Sequence, residues 1–277
     1  MTAADGRFFA PAKVNLALHV TGQRADGYHL LSSLVAFADI GDWVTARPAA
    51  EWALSVNGPL AKGVPTGPDN LILKAARATQ GPPAAFTLEK HLPMQAGIGG
   101  GSADAAAALR ALRAMDGRPL PDGPAAIGAD LPVCLHGRAA LMTGIGDIVT
   151  PVDPLPPLHA VLVNPGVAVA TPAVFAALAQ KDNAPLSDLP DDAGTDELIG
   201  WLASQRNDLE ALARSIAPAI GVALARLSAT PGCALARMSG SGATCFGLYR
   251  SAPEARDAAT TLTAAHPDWW IRQTSLA

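Results

Sequence analysis

The chain has 277 residues, of which 49% are hydrophobic and 16% are charged, and its formal net charge is −4. These values are typical of a folded globular protein, are enough for two domains, and exclude a largely disordered chain. No run of lysine or arginine is present, which argues against a nucleic-acid partner, and no apolar run approaches the length of a membrane span.

The three cysteines, Cys134, Cys233 and Cys245, lie far apart and do not form a C-x-x-C pair. We therefore expect buried thiols in a reducing cytoplasm rather than a zinc site or a disulfide framework. The N-terminal segment has no charged start followed by an apolar core, so the sequence predicts no signal peptide and a cytoplasmic location.

The first half of the chain is predicted to be rich in strands, with two helices. Alternating apolar residues predict a first strand, with a break near Pro11. Asp69 or Asn70 can cap a helix that runs to about Thr79. The strands are predicted at 7–20, 30–40, 43–46, 51–56 and 85–90, an alanine-rich helix at 103–115, an irregular turn at 128–132, and a hairpin at 139–143 and 147–152.

Four prolines between residues 151 and 157 indicate a stiff linker. This linker predicts one domain at residues 1–153 and another at residues 158–277, with a substrate cleft between these two parts. The second part is predicted to have strands at 159–164, 235–238, 243–249 and 269–273. One helix is predicted to begin at Thr171, and four more helices are predicted at 196–204, 208–215, 218–229 and 253–265. Strands and helices without strict alternation favour an α+β fold in both parts.

The most informative segment is a glycine-rich stretch, residues 93–103, that we call the glycine loop. Glycines bring backbone N–H groups close to a ligand, and the N-terminus of the following helix favours an anion. The pattern matches neither a P-loop nor a Rossmann fingerprint, but it predicts a phosphate site. The loop residues are Pro93, Met94, Gln95, Ala96, Gly97, Ile98, Gly99, Gly100, Gly101, Ser102 and Ala103.

Two candidate sites precede the loop. Lys13 and Asn15 are two residues apart on a predicted strand, so both side chains point to one face and can bind an anionic group. A solvated lysine on an edge strand is the alternative. Tyr28 can stack on a base and His29 can hydrogen-bond to its edge, although an ordinary turn and strand start explain the same residues.

Two more candidates follow the loop. Asp130 lies among apolar residues between Gly128 and Pro132, and is either a helix cap or a functional carboxylate in a constrained turn. The small residues of Ser239–Gly242 let a phosphate or another chain segment come close, whereas a plain hairpin turn is the alternative.

These elements, in this order, resemble the GHMP kinase superfamily over nearly the whole chain. The shared motifs are Pro-x-Lys-x-Asn at 11–15, Pro-x-x-x-Gly-x-Gly-Gly-Gly-Ser at 93–102 and a small-residue motif at 239–243. Motifs at 26–29, 69–72, 128–132, 144–147 and 207–210 resemble the branch that acts on a cytidine diphosphate-linked methylerythritol. Two positions depart from the pattern: Gln95 stands where a small residue is frequent, and Ala103 where a second serine is common.

The resemblance implies a ribosomal-protein-S5-like nucleotide domain followed by a ferredoxin-like domain. It also implies an ATP-dependent kinase of non-mevalonate isoprenoid synthesis, with Mg²⁺ arriving with ATP, that works as a monomer or weak homodimer. By resemblance, Lys13 and Asp130 are catalytic. The glycine loop binds the ATP phosphates, with Asn70, Leu71 and Lys90 at the adenine. The residues implied for the acceptor substrate are Asn15, Tyr28, His29, Phe175, Gly240 and Ser241.

Three alternatives remain open at this point. A homoserine or mevalonate kinase shares the glycine loop, but the motifs at 26–29 and 128–132 favour the cytidyl substrate. A non-catalytic nucleotide-binding protein could use the same fold, although it has no chemical need for both Lys13 and Asp130. A dehydrogenase is the most distant alternative, and it would require NAD binding.

Overall fold

The computed structural model describes residues 6–277, and residues 1–5 of the segment considered for a signal peptide lie outside this range. The described residues form two compact units that are interleaved in sequence. Unit 1 contains the described residues through Lys13 together with Ile40–Met94 and Gly99–Gly137, and unit 2 contains Val14–Asp39, Gln95–Ile98 and Arg138–Ala277. Contact-defined units of this kind leave the division into residues 1–153 and 158–277 a prediction.

Two long strands, β1 (Phe8–Gln23) and β2 (His29–Pro48), contribute residues to both units. β1 continues through Pro11 and β2 through Gly41, so the predicted interruptions at these positions are wrong. A Cβ atom at Gly41 would lie 2.2 Å from the carbonyl oxygen of Ala10. The glycine is therefore needed for the close approach of two strands and does not end either of them.

The strands of unit 1 are β3 (Ala53–Asn57), β4 (Ala84–Glu89), the second part of β2 and the first part of β1. β4 pairs antiparallel with β2, with Glu89 opposite Trp43, and parallel with β3. Alternate residues of β4, including Phe86, are buried, as the apolar alternation predicts.

The helices of unit 1 are α1 (Leu71–Ala78), α2 (Gly100–Asp116) and α3 (Leu131–His136). α1 begins as predicted, because Oδ1 of Asn70 accepts a hydrogen bond of 2.9 Å from the N–H of Ile72. α2 begins three residues earlier than predicted, since the N–H of Ala103 already donates to the carbonyl oxygen of Gly99. The turn at 128–132 was expected to be irregular, but it runs into α3, whose first turn tolerates a proline.

Unit 2 contains an antiparallel sheet in the order β10-β7-β9-β8. With helices between β7 and β8 and between β9 and β10, this order is that of a ferredoxin-like fold, which confirms the expectation for this part of the chain. Helices α7 and α8 pack on the sheet, and the core between them includes Val161, Leu227 and Leu262. The strands are β7 (Leu158–Asn164), β8 (Cys233–Met238), β9 (Cys245–Tyr249) and β10 (Trp270–Leu276), and the helices are α7 (Ala219–Ser228) and α8 (Ala252–Ala265).

The predicted hairpin of unit 2 is confirmed as β5 (Ala140–Thr143) and β6 (Ile148–Pro151), and β5 also pairs with the first part of β2. The remaining helices of the unit are α4 (Thr171–Ala176), α5 (Thr195–Ser204) and α6 (Glu210–Ile216). No helix within residues 6–277 is long and apolar enough to cross a membrane.

Candidate active site

Lys13 and Asp130 form an ion pair in unit 1, with 3.1 Å between Nζ and Oδ2. The side chain of Lys13 is 4% exposed and that of Asp130 is 31% exposed. Lys13 is therefore not a solvated edge-strand lysine. Asp130 occupies the cap position of α3, but its side chain makes no capping hydrogen bond. The carboxylate is thus directed at a buried ammonium group and open to solvent on one side, as a reacting carboxylate must be.

The last glycine before α2 lies against this ion pair. Gly99 has φ of +63°, and a Cβ atom on it would lie 3.2 Å from Cβ and Cε of Lys13 and 3.6 Å from Oδ2 of Asp130. The N-terminus of a 17-residue helix therefore begins beside the pair. Its first N–H groups have no partner within the helix and carry positive partial charge, so this end of α2 favours an anion.

The first turn of α2 packs against two other predicted site residues. Leu71 Cδ1 would lie 3.4 Å from a Cβ atom on Gly101 and 3.7 Å from one on Gly128. The same Cβ atom on Gly128 would be 3.3 Å from the hydroxyl of Ser102. The structure thus brings Leu71, Gly101 and Ser102 together, and larger residues at the two glycines would fill the space beside the hydroxyl.

Lys90 lies in a buried cluster of three charged groups in unit 1. Its ammonium group donates to Oδ2 of Asp42 and, at 2.9 Å, to Oδ2 of Asp104, while Oδ1 of Asp42 accepts from the N–H groups of His91 and Leu92. Burial opposes the charged form of Lys90, but the two carboxylates outweigh it and raise its pKa. Burial raises the pKa of Asp104 to about 8, against the opposing charge of Lys90. The cluster ties the chain entering the glycine loop to α2.

The centre of the glycine loop, Gln95–Ile98, belongs to unit 2 and packs on the turn Ser239–Gly242. The carbonyl oxygen of Gly97 accepts from the Ser239 hydroxyl at 2.9 Å, and the carbonyl oxygen of Ala96 accepts from the N–H of Thr244 at 3.1 Å. A Cβ atom on Gly97 would lie 2.5 Å from the carbonyl oxygen of Ser239. The turn therefore supports the glycine loop through hydrogen bonds and close contacts, and it is not a plain hairpin connection.

Two consecutive residues of the glycine loop, Met94 and Gln95, are exposed. Gln95 has φ of +49°. This is the left-handed region that glycine adopts without strain, so a glycine would fit this position with less backbone strain than Gln95.

Asn15 is buried in a hydrogen-bonded network of unit 2. Its Nδ2 donates to the hydroxyl of Ser33 at 2.8 Å, and its backbone N–H donates to Oγ of Ser239 at 3.0 Å. A Cβ atom on Gly240 would lie 3.3 Å from Oδ1 of Asn15. The hydroxyl of Ser241 lies 2.7 Å from Oγ1 of Thr171. The predicted residues Asn15, Gly240 and Ser241 thus share one polar region.

The second predicted cluster of unit 2 is aromatic. The rings of His29 and Phe175 stack with 4.9 Å between centroids, and Tyr28 is 59% exposed. Nε2 of His29 is buried and has no hydrogen-bond partner among the described residues. Burial, and then the charge of Lys181, lower the pKa of His29, so its ring is neutral at pH 7. A stacked neutral imidazole with an unsatisfied ring nitrogen is suited to a flat ligand with a polar edge.

Sequence reasoning did not find three polar residues that hold these groups in place: Asp42, Asp104 and Thr171. It named the motif at 207–210 but gave no role to Asn207, which binds the turn Ser239–Gly242. Asp104 offered a signal, because it is a lone carboxylate in an alanine-rich helix. Thr171 was interpreted only as the start of a helix. The pairing of Asp42 with Lys90 had no local signal, since Asp42 lies in β2 and Lys90 directly follows β4, far away in the sequence.

The sequence matches two families over defined ranges. Residues 70–150 match the GHMP kinases N terminal domain, and residues 187–268 match the GHMP kinases C terminal domain. A 4-diphosphocytidyl-2-C-methyl-D-erythritol kinase of Dinoroseobacter shibae is 61% identical over 97% of this chain and 94% of the relative. The same enzyme of Cereibacter sphaeroides (strain ATCC 17025) is 57% identical, over 97% of this chain and 98% of the relative.

Solved structures agree with these sequence relatives. A crystal structure of 4-(cytidine 5′-diphospho)-2C-methyl-D-erythritol kinase superposes with a TM-score of 0.78 at 35% identity, over 98% of this chain and 99% of the other. A mevalonate kinase at 11% identity and a TM-score of 0.63, covering 98% of each chain, shares the fold alone. The chain therefore belongs to the GHMP kinases and, within them, to the family of 4-diphosphocytidyl-2-C-methyl-D-erythritol kinases.

Proposed function

We propose that this chain transfers the γ-phosphoryl group of ATP to the 2-hydroxyl of 4-diphosphocytidyl-2-C-methyl-D-erythritol, in the non-mevalonate route to isoprenoids. The observation that carries the proposal is the Lys13–Asp130 ion pair beside Gly99 at the N-terminus of α2. Phosphoryl transfer needs a proton acceptor for the hydroxyl and positive charge around the phosphates. A partly exposed carboxylate, a buried ammonium group and a helix N-terminus supply these.

In the proposed reaction, the hydroxyl oxygen of the acceptor substrate attacks the γ-phosphorus, and Asp130 accepts the proton of that hydroxyl. The bond between that phosphorus and the β,γ-bridging oxygen breaks, and ADP leaves with the electron pair. Lys13 holds the Asp130 carboxylate through their ion pair and stabilises charge on the transferred group. The backbone N–H groups at the start of α2 bind the phosphates.

We assign the glycine loop, with Asn70 and Leu71, to ATP. Lys90 acts in nucleotide binding chiefly through the loop it anchors, because its ammonium group is already bound by Asp42 and Asp104. Mg²⁺ would enter with the nucleotide, held mainly by phosphate oxygens and water, and the hydroxyl of Ser102 is the protein group suited to it. The ion would neutralise charge on the phosphates.

We assign the cytosine of the acceptor to the stacked rings of His29 and Phe175, with Tyr28 on the opposite face of the cytosine. Support comes from the buried, unsatisfied Nε2 of His29, which could bond to the polar edge of the base. Asn15, Gly240 and Ser241 would hold other polar groups of the acceptor. We further propose a cytoplasmic enzyme, monomeric or weakly dimeric, without a nucleic-acid partner.

The proposal is tested by ATP consumption of the purified chain with 4-diphosphocytidyl-2-C-methyl-D-erythritol, homoserine or mevalonate as acceptor. Turnover with the cytidyl acceptor alone is expected, and the product should carry one new phosphate on the 2-oxygen. Turnover with homoserine or mevalonate instead would assign another small-molecule kinase activity. ATP binding without turnover on any acceptor would favour a nucleotide-binding protein.

A further inference from the structure

The motif at residues 207–210 follows α5 and ends at Glu210, the first residue of α6. All three of its polar side chains bind backbone groups of unit 2. Asp208 accepts from the N–H of Val20 at 2.7 Å, and Glu210 accepts from the N–H of Met238 at 3.0 Å. Asn207 makes the hydrogen bonds of the motif to the turn Ser239–Gly242, on which the glycine loop packs. The motif therefore forms hydrogen bonds both with the end of β8 and with the turn that follows it.

Asn207 is buried, and its amide group is fully used. Nδ2 donates to the carbonyl oxygens of Met238 at 2.8 Å and Gly240 at 2.9 Å, and Oδ1 accepts from the N–H of Leu209 at 3.0 Å. The two carbonyl groups lie on either side of Ser239. One amide nitrogen thus fixes the path of the backbone into the turn Ser239–Gly242.

The position of Ser239 matters because this residue holds the glycine loop. Its hydroxyl donates to the carbonyl oxygen of Gly97 and accepts the N–H of Asn15. The loop and the turn are in close contact, since a Cβ atom on Gly240 would lie 2.8 Å from the carbonyl oxygen of Gly97. A shift of the turn by a few tenths of an ångström would therefore move the loop backbone.

The segment that carries Asn207 is itself held firmly. The buried guanidinium group of Arg237 donates to the carbonyl oxygens of Gln205 at 2.7 Å and Leu202 at 2.8 Å. The N–H of Leu18 donates to the carbonyl oxygen of Arg206, and the N–H of Asp208 donates to that of Leu18. Asn207 therefore presents its amide group from a backbone that is fixed on two sides.

We infer that Asn207 is a positioning residue for nucleotide binding, which sets the turn Ser239–Gly242 and through Ser239 the phosphate-binding conformation of the glycine loop. This inference rests on the proposed role of the loop in binding ATP. Asn207 touches neither substrate in this assignment. Its effect is on the geometry that the loop offers to the phosphates.

The test compares Asn207→Ala with Asn183→Ala under steady-state conditions, at a temperature where both variants are folded by circular dichroism. Asn183 is a matched control, because its Nδ2 also binds this region, at the carbonyl oxygen of Val20 and at Asp208, without contacting the turn. We expect Asn207→Ala to raise the KM for ATP about tenfold, and that for the cytidyl acceptor much less. Asn183→Ala should leave both KM values within about twofold.

A KM for ATP that stays near the wild-type value in folded Asn207→Ala, or that rises equally in Asn183→Ala, would overturn the inference. If Asn207→Ala does not fold, Ser239→Ala decides the matter, because it removes the hydroxyl that bonds to Gly97 and to the N–H of Asn15 but leaves the bonds of Asn207 to the turn in place. An unchanged KM for ATP then overturns the inference, and a raised one supports it. Failure of the wild-type chain to consume ATP would instead count against the proposed function.

Discussion

The ammonium nitrogen of Lys13 lies 3.1 Å from Oδ2 of Asp130, and Gly99 is the residue that leaves room beside both side chains. The pair is asymmetric, since Lys13 is buried and Asp130 is about one-third exposed. The ammonium group holds the carboxylate on one side, and the exposed part of the carboxylate is accessible to solvent or a ligand.

Asp130→Asn should keep the binding of ATP and of the cytidyl acceptor but lower kcat by about 10²- to 10⁴-fold, because the amide cannot accept the hydroxyl proton. Rapid-quench turnover and separate binding titrations would measure the two effects. Asp69→Asn is the control, since Asp69 is highly exposed and pairs only loosely, at 3.2 Å, with Lys74. Near-normal turnover of Asp130→Asn would remove this residue from the role of base.

Gly99→Ala should reduce kcat more than Gly117→Ala does. Both glycines have a left-handed conformation, with φ of +63° and +77°, and both flank α2. An alanine at either position is strained by about 1–2 kcal/mol. Only the methyl group at position 99 would press on Lys13, because nothing lies within 4 Å of a Cβ atom at 117. Equal kinetic losses in the two variants would show that backbone strain alone explains the effect.

His29→Ala should raise the KM for the cytidyl acceptor by at least about tenfold while the KM for ATP changes little, because the variant removes both the stacked ring and its unsatisfied nitrogen. His266→Ala is the matched control. His266 also stacks on an aromatic ring, that of Trp269, with 3.9 Å between centroids. Parallel changes in the KM values for ATP and the acceptor in His29→Ala would contradict recognition of the base.

Lys90→Met should lower the free energy of unfolding by about 3–5 kcal/mol, because it leaves the buried carboxyl groups of Asp42 and Asp104 without the ammonium group that binds both. Chemical denaturation at pH 7 would measure the loss. Lys74→Met, which breaks the exposed pair with Asp69, should have little effect. A small loss for Lys90→Met would mean that the two carboxylates take up protons at little cost.

Acid should weaken unit 2 through His19. Nδ1 lies 3.0 Å from the carbonyl oxygen of Ala184, and Nε2 accepts the N–H of Arg206, so the neutral ring is the bonded form. Burial, and then the charge of Arg206, lower the pKa of His19, with Asp208 opposing. Because the folded-state pKa lies below the usual 6.5, the contribution to stability is complete above pH 6.5 and is lost as pH falls through the lowered value.

His19→Gln should flatten this part of the pH profile, since a neutral amide can keep one donor and one acceptor without titrating. The measurement is the midpoint of urea unfolding between pH 5 and pH 8 for the wild-type chain and the variant. A wild-type slope that persists in full in His19→Gln would assign the acid sensitivity to other groups.

Local patterns in the sequence predicted most of the secondary structure and named candidate residues for the site. The cap at Asn70, the hairpin at residues 139–152 and the α+β class follow from short-range chemistry, and the structure confirms them. The glycine loop predicts an anion site at the N-terminus of α2 on similar grounds, because glycines before a helix let backbone N–H groups approach a ligand.

Contacts between distant segments were decided only by the tertiary structure. Lys13 could be an exposed lysine and Asp130 a helix cap until the fold placed one against the other. The local sequence around Asp42 does not indicate that its carboxylate accepts hydrogen bonds from Lys90 and two backbone N–H groups. The sequence predicts a strand that ends before Gly41, whereas the structure shows that the strand continues and that Gly41 lies against Ala10. Local sequence sets the conformations each residue can adopt, whereas burial and pairing depend on which segments the folded chain brings together.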